Sequence, residues 1–130
     1  MAPPAGRILA SVPARTEYVT VLRSVAASVA ARLDLSYDEL EDLRLLVDEA
    51  CARLLADGGG RTLTLELRLE GTGVAIEAGT EGAPSGWPPR DPAHALSTRI
   101  LSALAEDVRF EVAGDRRVIR MRFRPRRVAS

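Results

Sequence analysis

The 130-residue sequence contains no lysine; all 18 of its basic side chains are arginine. It has one cysteine, one histidine and one tryptophan, and aromatic residues make up only 4% of it. Each scarcity excludes something. A single thiol, Cys51, cannot close an internal disulfide, and its place on an apolar helical stripe reads as a small buried hydrophobe rather than a redox centre. A single imidazole, His94, argues against a histidine-based metal site. No apolar run approaches the ~20 residues that cross a bilayer, and "MAPPAGR" lacks the apolar stretch of a secretory signal. A cytoplasmic protein with no membrane partner is the expectation. Charge of neither sign is in excess, with 18 acids against 18 bases, so net charge favours no direct nucleic-acid partner either.

What is present is aliphatic. Hydrophobic residues make up 46% of a chain whose length fits one domain. That domain is expected over 7–124, with flexible ends at 1–6 and 125–130. "RILASVPAR" (7–15) is short, apolar and interrupted by Pro13, the mark of an edge strand. Within 17–33, Val21, Leu22, Val25, Val29 and Leu33 recur at helical spacing, with Arg23 on the flank. Ser36 and Glu39 have the spacing of a capping box. The helix they open shows Leu40, Leu43, Val47, Ala50, Cys51 and Leu54 on one face, and Gly58–Gly60 stop it.

From residue 61 the period changes to two. Leu63, Leu65, Leu67 and Leu69 alternate with polar residues, which predicts a half-buried strand. Gly71 and Gly73 connect it to a return strand, "VAIEA" (74–78), with Val74, Ile76 and Ala78 on one face and Ala75 and Glu77 on the other. "GTEGAPSGWPPRDP" (79–92) reads as a long loop of the kind that carries function. Trp87 within it is read as a packing anchor in preference to an exposed contact. A third helix is expected at about 93–105, with Leu96, Ile100, Leu101 and Leu104. Strands at 107–113 and 116–124 follow, joined at Gly114-Asp115. In the last, Ile119, Met121 and Phe123 face inward and Arg120, Arg122 and Arg124 outward, as a solvated basic strand edge rather than a nucleic-acid surface. This order predicts an α+β fold: a two-layer α/β sandwich, a mostly antiparallel mixed sheet with three helices on one face.

The element order, the phrase "DLRLLVDEACARLL" and the later "LSALAEDVRFE" together resemble the bacterial anti-sigma factors that are also serine protein kinases, within the GHKL ATPase superfamily. The likeness covers nearly the whole chain and is greatest to the sigma-F-type anti-sigma factors of actinobacteria. It implies a homodimer that holds a stress or sporulation sigma factor. An anti-anti-sigma protein of STAS fold then competes the sigma factor away.

The resemblance also implies three nucleotide boxes, and this sequence departs from each. In the first, Glu-x-x-x-Asn, Glu49 stands at the base, but Arg53 stands at the Mg²⁺-holding Asn. A guanidinium has five donors and no acceptor, whereas Mg²⁺ needs oxygen ligands. The expected result is a Glu49–Arg53 ion pair on the pocket wall, worth only about 0.2–0.5 kcal/mol on an exposed helix. In the second, Asp-x-Gly-x-Gly, two placements compete: Glu77 with Gly79, or Ala78 with Thr80 and Gly82. Strand alternation selects Ala78, because it shares a face with Val74 and Ile76, and Glu77 is then a solvated strand residue. In the third, Gly-x-Gly opening the third helix against the phosphates, Ala95 and Ser97 stand at the glycines, where side chains block close approach.

On the first helix, the resemblance implies a partner-contacting arginine, and gapless counting from Glu49 places Arg23 there. The same position also suits an ordinary solvated arginine. Arginine is well matched to a partner's carboxylates. The sequence thus leads to an anti-sigma factor that binds without a required cofactor. The rival is an active serine kinase that uses Mg²⁺ and ATP on the anti-anti-sigma protein, with Glu49 as base.

Overall fold

A computed structural model describes residues 6–56, 58, 60–82 and 87–125. The expected flexible ends lie almost wholly outside these residues. Pairing of the sheet begins at Gly6, whose carbonyl accepts from the Leu69 N–H over 3.0 Å.

Local chemistry sets the helix starts. Ser36 Oγ accepts from the Glu39 N–H over 3.1 Å and Glu39 Oε1 accepts from the Ser36 N–H over 2.9 Å. This reciprocal cap opens α2, Tyr37–Leu55. Ahead of it, a short 3₁₀ turn at Thr16–Tyr18 leads into α1, Val19–Ala30, shorter at both ends than the periodicity suggested. Asp91 caps α3, Pro92–Leu104, by accepting from the His94 N–H over 2.7 Å, and Pro92 occupies the first helical position, where no N–H is needed.

Five strands complete the chain: β1 (Arg7–Pro13), β2 (Thr62–Glu70), β3 (Gly73–Glu81), β4 (Glu106–Ala113) and β5 (Arg116–Phe123). They form one sheet in the order β1-β2-β3-β5-β4, with every neighbouring pair antiparallel. Among the described residues no parallel pair gives the sheet the mixed character the sequence allowed. Gly79–Glu81, read from sequence as loop, continue β3: Thr80 pairs with Leu63 on one side and Arg117 on the other. β5 is not an edge. It lies between β3 and β4, and non-local pairing, invisible in its own sequence, puts it there.

The helices cover one sheet face. Leu63, Leu65, Leu67, Val74, Ile76, Ala78, Ile119, Met121 and Phe123 from that face are buried with Leu22, Ala26 and Val29 of α1, Leu101 of α3 and the expected stripe of α2, of which only Leu40 is half-buried. Three expected core positions, Val21, Leu96 and the half-buried Ile100, lie outside it. Val21 is 47% exposed and Leu96 58% exposed; on each helix the buried stripe is narrower than the apolar sequence pattern. Cys51 is fully buried, and burial, with the Asp48 charge behind it, pushes its thiol up to about 12. Trp87 is buried as well: its Nε1–H donates to the Glu111 carbonyl over 3.1 Å, and its ring meets Phe110 at 5.7 Å and the Arg117 guanidinium at 5.6 Å.

The other sheet face is open and carries the arginines of β5 in a lattice of ion pairs. Arg120 Nε reaches Glu77 at 3.0 Å and Glu111 at 3.2 Å, and Arg122 reaches Glu70 and Asp107, each at 3.5 Å. Glu77 is therefore ion-paired rather than merely solvated. No helix of the described residues is long and apolar enough to cross a membrane.

Candidate functional site

Two places on α2 are candidates for a functional site. The first faces α3. Glu49 and Arg53 stand one turn apart on α2, and Ser97 lies buried on α3. The Ser97 hydroxyl donates to Glu49 Oε2 over 2.6 Å. The structure thereby joins Glu49, which the resemblance assigns to the first box, to Ser97, which counting assigns to the third. The expected Glu49–Arg53 ion pair is absent among the described residues. Ser97 engages the carboxylate from the neighbouring helix with a short charge-assisted bond, and a same-helix pair at this spacing is too weak to compete. Arg53 is instead only 7% exposed, with its Nε buried and without a hydrogen-bond partner. Its long aliphatic stem lets it sink this deep.

The second-box positions are on β3. Ala78 is fully buried on the helix-covered face, between Leu65 and Ile119, while Glu77 points to the open face. Thr80 is also fully buried, and its hydroxyl donates to the Thr62 carbonyl over 2.7 Å. Gly60 backs against it so closely that a Cβ there would lie 1.9 Å from Thr80 Oγ1. Gly82, at φ +90, donates its N–H to the Asp115 carbonyl over 2.7 Å and so ties the end of β3 to the β4–β5 turn.

Ala95 and Ser97 sit inside α3, not at its opening. The helix starts at Pro92, and Ala95 is exposed while Ser97 is buried. Sequence counting missed this because Asp91-Pro92, an N-cap followed by a first-turn proline, is the true start signal. The cap has a chemical consequence. A helix N-terminus attracts anions, but here the Asp91 carboxylate already occupies it.

The side chains at the positions the resemblance assigns to nucleotide do not suit magnesium-bound ATP: Arg53 is a cation where that assignment needs an oxygen ligand, Ala78 a methyl group where it needs an acceptor, and Asp91 a negative charge at the helix start where it needs phosphates. Among the described residues, no group of three or more His, Cys, Asp and Glu side chains is arranged to hold a metal ion.

The second place is the α1–α2 seam. Arg23 Nη1 on α1 donates to Asp48 Oδ2 on α2 over 2.8 Å, and the two side chains are 37% and 35% exposed. The pair separates two open hollows, both of which it lines. One, of about 570 Å³, adds Ser24, Glu41, Asp42, Arg44 and Leu45. The other, of about 430 Å³, adds Thr16, Val19, Thr20, Ala52, Leu55 and Ala56. Sequence reasoning found Arg23 but not Asp48 as its partner, since 25 residues separate them and no local pattern links them.

A third feature was also missed. Glu81 ends β3 and accepts from the backbone N–H groups of Arg61 and Thr62, over 3.0 and 2.8 Å, and from the Thr62 hydroxyl. Those bonds, the Thr62 hydroxyl first, hold its carboxyl down at about 2, below the ordinary 4.5.

A model of the histidine kinase-like ATPase domain matches residues 12–123. The serine-protein kinase RsbW of Bacillus mycoides (strain KBAB4) is 27% identical over 122 residues, covering 78% of this chain and 75% of its own length. The serine-protein kinase RsbW of Bacillus thuringiensis (strain Al Hakam) is 37% identical over 49 residues, 38% of this chain and 31% of that protein. Among solved structures, the RsbU and RsbW domains of Rv1364c from Mycobacterium tuberculosis share the fold, with a TM-score of 0.73 at 14% identity over 97% of this chain. This chain spans 34% of that one.

Proposed function

Because the chain belongs to the histidine kinase-like ATPase domain family, and because its nucleotide-box positions hold the wrong chemistry for Mg-ATP, we propose that it acts by binding rather than by phosphotransfer. It is an anti-sigma factor. As a homodimer in the cytoplasm, it sequesters an alternative sigma factor of the stress or sporulation type. It releases that sigma factor when an anti-anti-sigma protein of STAS fold takes an overlapping surface around Arg23.

The observation that carries this reading is Arg53. It sits buried, without a partner for its Nε, at the position where the kinase reading needs an oxygen ligand. The Ser97–Glu49 bond points the same way: the carboxylate at the base position is already held by α3. Neither feature touches the α1–α2 seam, where half-exposed Arg23 flanks two hollows. Docking there requires no nucleotide.

One observation favours the kinase as a second reading. The relatives from Bacillus are named serine-protein kinases, and Glu49 stands at the base position of that activity. A capture experiment tests the function itself. The immobilised chain is exposed at low salt to a lysate of its source bacterium, and bound proteins are identified by mass spectrometry. Recovery of a sigma factor is the expected result. Recovery of none would remove the anti-sigma reading.

A further inference from the structure

On the proposed reading partner binding turns on Arg23, and Arg23 is already paired. A single donor, Nη1, engages Asp48 Oδ2. With both side chains more than a third exposed, such a pair holds only weakly. Its position matters more than its strength. The pair is the ridge between the two hollows, so a segment lying along the α1–α2 seam cannot fill both without covering it.

The hollows differ in kind. On one side Arg44 and Glu41 neutralise each other at 2.6 Å, as Arg23 and Asp48 do, which leaves Asp42 as one excess negative charge. On the other side Val19, Ala52, Leu55 and Ala56 form an apolar floor. A carboxylate approaching Arg23 therefore meets the carboxylates of Asp48 and Asp42 beside it.

We propose that Asp48 is an internal competitor for Arg23: the docking partner exchanges its own carboxylate for that of Asp48, and Asp48 thereby sets the affinity and the salt response of this surface. The inference rests on the anti-sigma reading. The occupant is a segment of the sigma factor that presents a carboxylate to the ridge and an apolar side chain to the Val19–Leu55 floor.

Two consequences follow from the exchange. The apparent affinity is lowered by the fraction of time Arg23 is held by Asp48. Docking also breaks one ion pair as it forms another, so the salt dependence due to Arg23 is largely cancelled. Without the Asp48 charge, the same docking forms an ion pair outright.

The test titrates the sigma factor recovered by the capture experiment, at several salt concentrations, into wild type, Asp48→Asn, Arg23→Ala and the double variant. Asp48→Asn should bind about two- to fivefold tighter at low salt and lose affinity more steeply as salt rises. In the Arg23→Ala background the same substitution should have no effect. Unchanged or weaker binding by Asp48→Asn would overturn the exchange, and so would a gain that persists without Arg23. Should Asp48→Asn shift the melting temperature, the comparison within the Arg23→Ala background still isolates the coupling, because both proteins there lack the pair. Recovery of no sigma factor would instead remove the functional reading itself.

Discussion

Ser97 on α3 and Glu49 on α2 share a 2.6 Å hydrogen bond across 48 residues of sequence. It ties α3 to α2 through the carboxylate that the resemblance assigns as base. Ser97→Ala removes the donor and leaves a half-buried carboxylate without it. The loss should be about 1–2 kcal/mol of stability, read from urea unfolding midpoints at constant slope. An unchanged midpoint would show that solvent replaces the bond without cost.

Glu81 predicts an acid response. Its folded carboxyl is held near 2, below the ordinary 4.5, so the stability it contributes is present above the unfolded value and is lost as pH falls through the folded one. Wild type should lose stability between about pH 4.5 and pH 2. Glu81→Gln should be less stable at neutral pH and flatter across that window. Parallel wild-type and variant curves from pH 7 to pH 2 would contradict the assignment.

Cys51 should be silent. With the thiol buried and raised to about 12, a thiol reagent at pH 8 should not label the native protein. It should label the chain fully in denaturant. Rapid native labelling would mean that α2 opens locally.

Gly60 has no room for a side chain, because a Cβ would meet Thr80 Oγ1. Gly60→Ala should cost about 1–3 kcal/mol by overpacking. In a Thr80→Ala background the same substitution should cost less, because the obstructing hydroxyl is gone. Additive costs would place the strain elsewhere.

The sequence showed what is local. Ser36 and Glu39 are three residues apart, and both halves of their cap form as their spacing requires. Alternation in "VAIEA" put Ala78 on the covered face and Glu77 on the open one, because a strand's period leaves no other choice. What depends on distant partners was not legible. Gly79–Glu81 looked like loop because glycine suggests a break, yet Gly79 is flanked by Thr64 and Val118 in the sheet. The arginines of β5 looked like an exposed edge, yet acids from β2, β3 and β4 neutralise them. Arg53 looked like half of a helix ion pair, yet Glu49 is engaged by Ser97 of α3 and Arg53 is buried apart from it. The pairing of Arg23 was not legible either: the resemblance pointed to Arg23, but Asp48, 25 residues away, was not found as its partner.

On the proposed reading this chain holds a sigma factor without needing nucleotide. The most direct measurement is a calorimetric titration of the recovered sigma factor into the chain, first without nucleotide and then with Mg-ATP. Saturable binding of the same affinity in both is the predicted result. Binding that appears only with Mg-ATP, or tightens tenfold or more in its presence, would contradict the account.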